Sequence, residues 1–347
     1  MTLATGYRAT STPGEVEPFT LTRRDLRPDD VEVRITHCGV CHTDLHALAG
    51  SRGHGDTPLV PGHEFVGEVV AVGPDVTRFA VGDPVAVGNI VDSCGECAMC
   101  RSGSENMCAD FPTLTYGGVD RIDGTPTLGG WSSAYVVRQD FAYHRPAHLD
   151  PAGVAPLMCA GVTVWEPLRE WGAGPGSRVG VVGLGGLGHL AVKLAVALGA
   201  DVTVFTRTAD KADDARALGA HRVVVSTDDE AMAAAADSLD LLLDCAPASH
   251  DLGPYLRTLA LDGTLVVLGY LGEGTVDAMD LLRARRRVSS SGSAGRARTQ
   301  EMLDFCGEHG VTADVEVLPS AQVGTALARL AANDVRYRFT LDLGDLA

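Results

Sequence analysis

The sequence predicts an α/β protein in two parts, a β-rich domain followed by a doubly wound parallel sheet. Three observations carry this. At 347 residues the chain exceeds the size at which a single core keeps growing. From about Ala160, strand-like runs (Arg178–Val182, Asp201–Thr206, Arg222–Val225, Leu239–Asp244, Gly263–Leu268) alternate with helix-like stretches, the rhythm of a parallel sheet wound in both directions. Before Ala160 the pattern is different: short alternating strands broken by Gly and Pro turns, which suit a small antiparallel, barrel-like domain.

In chain order, Val31-Glu-Val-Arg-Ile-Thr36 alternates apolar and polar residues as a half-buried strand does, and runs into Cys38-Gly-Val-Cys41. A short helix follows, with Leu45 and Leu48 one turn apart, then a Gly- and Pro-rich loop to Gly62-His63-Glu64. Strand signals return at Glu68–Val72 and Val85–Val87, around Gly73-Pro74 and Gly82-Asp83-Pro84 turns. A cysteine-rich lobe with little apolar content comes next, and Gly129-Gly-Trp131 and Ala134–Val137 resume strand character. In the second part, Leu187, Leu190, Ala191, Leu194 and Leu198 share one helix face. After Arg287–Ser291 the chain is expected to leave this sheet, and a helix over Thr299–His309 and a last strand over Val335–Leu341 rejoin the first domain.

Composition excludes several classes. A net charge of −17 argues against nucleic acid or an anionic membrane surface as partner. Residues 1–8 lack the apolar core of a secretory signal, and the most apolar window, Val179–Ala200, is interrupted by His189 and Lys193 and reads as buried strand plus helix. The nine cysteines, without an export signal and with C-x-x-C spacing, read as metal ligands rather than disulfides.

Cys94, Cys97, Cys100 and Cys108 can close a tetrahedral zinc with no open position, holding a lobe that lacks its own core. A ferredoxin-type cluster fits worse, because the step to Cys108 is too long and no Pro follows. Cys41, His63 and Cys159 form a two-thiolate, one-imidazole set, which holds a zinc and leaves the fourth position free for an alcohol or carbonyl oxygen. The hydroxyl of Thr43 is placed to take the proton such a reaction moves, and His46, about one helical turn on, to pass it to solvent. Gly183-x-Gly185-x-x-Gly188 follows a predicted strand and opens an amphipathic helix, the context of a dinucleotide turn. Where NAD enzymes carry an acid for the ribose 2′-hydroxyl, this chain has Thr206-Arg207, with Lys211 beyond. These suit a 2′-phosphate and so NADP(H), unless Arg207 and Lys211 are simply solvated loop charges. Cys38, Cys245 and Cys306 read as buried packing. Four arginines over Arg283–Arg287 read as a solvated helix end, with a dimer contact as the minor alternative.

With these residues in hand, the chain resembles the zinc-dependent medium-chain alcohol dehydrogenases, and among them the NADP-dependent cinnamyl alcohol dehydrogenase branch with its bacterial aldehyde reductases. The resemblance rests on Gly39-Val-Cys-His-Thr-Asp-Leu-His46, Val60-Pro-Gly-His-Glu64, the four-cysteine lobe, Leu157-Met-Cys-Ala-Gly-Val-Thr163, Gly183-Leu-Gly-Gly-Leu-Gly-His189 and Asp334-Val-Arg-Tyr-Arg-Phe339. It implies a GroES-like catalytic domain over residues 1–159, a Rossmann NADP-binding domain over 160–292, and a segment 293–347 returning to the first. It implies two zinc ions per chain, catalytic at Cys41, His63 and Cys159 and structural at the four cysteines. Glu64 would approach the catalytic metal when substrate is absent, and Asp44 would support its ligands. Thr43 would pass the substrate proton through the cofactor ribose to His46. The cofactor set would comprise His42, Gly183, Gly185, Gly186, Leu187, Gly188, Thr206, Arg207, Lys211, Ser293 and Arg336, with Ser291–Ala294 along the domain cleft.

Two departures put a dedicated coniferyl-type substrate in doubt: Leu114 replaces an aromatic residue, and Ser51 an acid past the relay histidine. Trp131 and Trp165 either line the pocket or pack in the core. The expected function is a cytoplasmic, homodimeric NADP(H)- and zinc-dependent aldehyde reductase of broad range. The rivals are a C=C or C=N reductase on the same fold and an NADP-binding protein without turnover.

Overall fold

The computed structural model describes residues 2–50, 58–269, 272 and 274–346; Ser51 and His54 lie outside the described residues. The chain divides into two compact units, Met1–Cys159 with Ala294–Ala347, and Ala160–Ser293.

In the first unit, the alternation read at Val31–Thr36 belongs to a longer strand, Asp30–Val40, whose inward side chains Val31, Val33 and Ile35 are almost fully buried. This strand is central to a seven-stranded sheet. Phe65–Val72 and Ala134–Arg138 pair with it antiparallel, as does the C-terminal strand Arg338–Asp342. Val315–Pro319 extends the sheet beyond Arg338–Asp342, and Pro84–Val87 and Ala142–His144 extend it beyond Phe65–Val72. The last strand begins only at Arg338, not at Val335, because the chain still bends at Arg336–Tyr337. Thr2–Ala9 and Val16–Arg23 form a separate antiparallel pair. Trp131 is fully buried in the core with Phe65, Phe339 and Tyr135, and its indole N–H donates to the Gly39 carbonyl at 3.2 Å. It is a packing residue. Losing such a ring typically costs about 3–5 kcal/mol.

The second unit is a six-stranded, all-parallel sheet in the order Arg222–Val225, Asp201–Thr206, Arg178–Val182, Leu239–Asp244, Leu259–Val267, Arg287–Ser290. The four strands from Arg178 to Asp244 have the bounds expected of them: the three inner ones are covered on both faces and read as near-continuous apolar runs, and the edge strand Arg222–Val225 is marked by its three valines. Leu259–Val267 begins earlier than the expected Gly263; Asp262, at φ 63°, is a distortion inside the strand rather than the turn before it. Arg287–Ser290 is a sixth strand, at the sheet edge, with polar side chains that hide it from pattern reading. The helix after the glycine-rich turn spans Gly188–Ala197.

One expectation is overturned here. Arg286 is not part of a solvated helix end: it is buried, and its guanidinium donates to the carbonyls of Leu259 and Asp280 and to the carboxylate of Asp237. Its neighbours fit the solvated reading, Arg285 pairing with Asp262 at the surface. No helix of the described residues is long and apolar enough to cross a membrane.

Candidate active site and metal centres

The central strand ends at Val40 and delivers Cys41 to the start of the helix His42–Leu48. Asp44, in the first turn, is fully buried, and its carboxylate accepts the Cys41 N–H at 2.9 Å and the Gly62 N–H at 3.1 Å. The same carboxylate lies 3.1 Å from His63 Nδ1. One acid thus fixes the segments carrying two candidate ligands, and its bond to Nδ1 leaves Nε2 as the metal-facing lone pair. Cys159, the C-cap of a short 3₁₀ turn over Ala155–Met158, brings its Sγ to 3.9 Å from Cys41 Sγ and 3.3 Å from His63 Nε2.

These separations test whether zinc fits. Zn–S bonds near 2.3 Å at tetrahedral angles put two sulfurs about 3.8 Å apart, and a sulfur and an imidazole nitrogen slightly closer. The donor set meets both. Its electrostatics call for a cation as well. The hydrogen bond from Cys159 drives the Cys41 thiol well below its ordinary pKa, while the same contact and burial push Cys159 well above. Two thiolates this close cannot both ionise without a positive charge between them.

The second cluster meets the same test. Cys94 and Cys100 place their sulfurs 3.9 Å apart, and all four donor atoms of Cys94, Cys97, Cys100 and Cys108 lie within 4.8 Å of one another. Backbone amides hold it together. The N–H groups of Cys97, Cys100 and Ala109 each lie 3.4 Å from a cysteine sulfur, and those of Ala109 and Cys100 bring the Cys97 thiol down to about 6.

Thr43 is half-buried with its Oγ1 3.7 Å from Cys41 Sγ, whereas His42 and His46 are exposed on the same helix. Glu64 is fully buried and paired to Arg338. In the second unit Gly183, at φ 83°, turns the chain out of its strand, and Gly185 is exposed, with nothing within 4 Å of where a Cβ would sit. Gly186 and Leu187 are part-exposed. Gly188 admits no side chain, because a Cβ there would meet the Gly183 carbonyl oxygen at 1.9 Å. The turn therefore presents open backbone at Gly185 while its helix closes tightly against it, the shape that suits a pyrophosphate. Thr206 is buried at its strand end, Arg207 and Lys211 are exposed, and Lys211 helps lower the Asp210 carboxyl after the hydrogen bond from Thr208. Ser293 is buried, its N–H donating to Thr163 Oγ1 at 3.3 Å, and Arg336 is exposed.

Comparison with known proteins decides the family. The alcohol dehydrogenase GroES-like domain matches residues 27–147, and the zinc-binding dehydrogenase family matches residues 186–308. An NADP-dependent alcohol dehydrogenase C of Mycolicibacterium smegmatis is 45% identical over 100% of this chain and 99% of its own. A probable cinnamyl alcohol dehydrogenase of Oryza sativa is 46% identical over 99% and 96%. Among solved structures, a cinnamyl alcohol dehydrogenase of Sorghum bicolor superposes with a TM-score of 0.95 at 44% identity, covering 100% of this chain and 99% of its own. The CAD of Helicobacter pylori, solved with NADP(H), gives 0.90 at 32% identity, covering 98% of both. The chain belongs to the zinc-dependent medium-chain alcohol dehydrogenases.

It is therefore an oxidoreductase with GroES-like and Rossmann-type domains. Within this alcohol dehydrogenase the structure brings forward a residue that the sequence reading passed over. Arg338, two positions beyond the Arg336 singled out for the cofactor, is buried; its guanidinium pairs with Glu64 Oε1 and lies 4.0 Å from Cys41 Sγ. Burial alone would lower the Arg338 pKa; Glu64 and the thiolates outweigh it and keep the group charged. Burial pushes the Glu64 carboxyl up to about 7 against that pull. The usable signal was register: in the strand Arg338–Asp342, Phe339 pairs with Val40, which sets Arg338 beside the first ligand. Tyr116 also stands edge-on to His63, with ring centroids 5.7 Å apart.

Proposed function

We propose that this enzyme is an NADP(H)-dependent aldehyde reductase, reversibly converting a broad range of aromatic, aliphatic or unsaturated aldehydes to primary alcohols. The observation that carries this is the donor count: among the described residues the Cys41, His63 and Cys159 group has three donors and the cysteine lobe four. A closed set holds structure, while an open set offers a coordination position to substrate. Zinc at the open set supplies Lewis-acid polarisation of the carbonyl, and NADPH supplies the hydride.

The remaining roles belong to the chain. Thr43 donates to the substrate oxygen during reduction and accepts its proton during oxidation. His46, exposed on the same helix, exchanges that proton with solvent. Asp44 keeps the ligands in register, and Arg338 keeps Glu64 paired, away from the open position. Thr206, Arg207 and Lys211 receive a 2′-phosphate. The NADP-dependent names of the relatives and the absence of an acid at the end of the Asp201–Thr206 strand, where Arg207 stands and the first acid is Asp210, support that choice. His42, Ser293 and Arg336 complete the cofactor's surroundings in this reading. Free thiols throughout suit a reducing, cytoplasmic setting. The edge strand Arg287–Ser290 and the exposed Leu261, Met279 and Leu282 of the same unit support a homodimer.

NADPH oxidation measured over a panel of aliphatic, aromatic and α,β-unsaturated aldehydes tests the reading. Turnover of several classes with primary alcohol as product is expected. Reduction of the C=C bond alone, or no turnover by protein holding two zinc ions, would overturn it.

A further inference from the structure

Arg23 ends the second N-terminal strand and is buried, yet no carboxylate among the described residues pairs with it. Its guanidinium stacks over the Tyr135 ring at 4.6 Å and spends its donors on one loop: the carbonyls of Leu128 (2.5 Å), Gly129 (2.7 Å) and Ala134 (2.8 Å), and Ser132 Oγ (2.7 Å). Burial brings its pKa down to about 10. Desolvating such a charge without a counter-ion costs several kcal/mol, so the contacts that offset it matter for what they hold.

What they hold is the seat of two metal ligands. The loop's backbone zips onto the segment before His63: Gly129 N–H donates to Val60 at 2.7 Å, Gly130 N–H to Gly62 at 2.7 Å, and Trp131 N–H to Pro61 at 3.0 Å. The fit leaves no room for adjustment, since a Cβ on Gly62 would meet the Trp131 ring and amide at 2.6 Å. The Trp131 indole N–H reaches the carbonyl of Gly39, two residues before Cys41.

We propose that Arg23 is a positioning residue for the open zinc site, setting Cys41 and His63 through the 128–134 loop. This rests on the reading of Cys41, His63 and Cys159 as a zinc site. Lysine cannot replace the planar fork, because a single ammonium cannot reach four acceptors spread along a loop.

The test is the rate at which a chelator strips each zinc from the holoenzyme of wild type and Arg23→Lys, the four-cysteine site serving as internal reference. Stripping from the open site faster by about tenfold or more, with the reference rate unchanged, is the expected result. Equal rates at the open site, or equal acceleration at both sites, would overturn the proposal. If Arg23→Lys is insoluble, Ser132→Ala decides by the same criterion, since it removes one of the four acceptors that the Arg23 guanidinium grips. Wild type holding only one zinc would instead refute the site reading beneath it.

Discussion

The two donor clusters use the same chemistry and are built by opposite means. Cys94, Cys97, Cys100 and Cys108 lie close in sequence, their lobe carries exposed Met99, Met107 and Phe111, and the sulfurs are organised by neighbouring backbone amides. Cys41, His63 and Cys159 come from three distant segments, and buried side chains (Asp44, Arg338, Glu64) dictate their geometry. On the proposed reading, a metal would make the local fold in the first case, and the fold would make the metal site in the second. Loss of a ligand should therefore be structural at one and chemical at the other.

The sharpest contrast comes from single ligand removals. Cys159→Ala should abolish turnover while the circular dichroism spectrum and one zinc per chain are retained. Cys100→Ala should first lower soluble yield and melting temperature. The reverse pattern would exchange the roles assigned to the two clusters.

A smaller loss should follow from the open site's proton path. Thr43→Val should reduce turnover about 10²–10⁴-fold, the usual contribution of a general acid–base group, with cofactor binding near normal. His46→Gln should cost less, because water substitutes at an exit, and should flatten the pH–rate profile near neutrality. Unchanged turnover in Thr43→Val would favour a reductase that does not need the hydroxyl.

At the cofactor, a charge-assisted hydrogen bond is worth roughly 1.5–3 kcal/mol, so Arg207→Ala should lower NADPH use about tenfold or more relative to NADH. An unchanged NADPH/NADH ratio would make Arg207 an ordinary surface charge.

The mildest effect belongs to the four-cysteine lobe's tether. Glu105 is buried and accepts both the backbone N–H and the guanidinium of Arg296 at the start of the helix Arg296–His309. Burial would raise its pKa, but the bonds from Arg296 outweigh this and hold it below the ordinary 4.5. A depressed carboxyl stabilises the fold above the unfolded-state value, and that stability fades as pH falls through 4.5 and below. Glu105→Gln should flatten the pH dependence of unfolding in that acid range, leaving stability at pH 7 lower but nearly constant. An unaltered acid limb would exclude the tether.

How much of this could be read from the sequence follows from what side chains reveal about burial. The inner parallel strands Arg178–Val182, Asp201–Thr206 and Leu239–Asp244 were legible because strands covered on both faces leave near-continuous apolar runs. Arg287–Ser290 was not, because it holds one apolar residue beside an arginine and two serines, whereas the other edge strand, Arg222–Val225, keeps three consecutive valines. The two donor clusters, which the structure brings together, and the glycine turn were legible because their residue types and spacing admit few substitutes. Arg23, Arg286 and Arg338 were not: arginine is normally a surface residue, and nothing local marks the rare one that folds inward onto carbonyls or a buried carboxylate. Arg338 shows the consequence. Arg336, nearby in the same motif, attracted the functional expectation, while register placed Arg338 against Cys41 and Glu64.

The division of labour between the clusters can be measured in one experiment: graded chelation of the holoenzyme, following released zinc, turnover and circular dichroism together. Turnover should vanish in proportion to a single zinc released, with the spectrum intact until the second leaves. Loss of structure with the first zinc, or full turnover after its release, would contradict a chemical role for Cys41, His63 and Cys159.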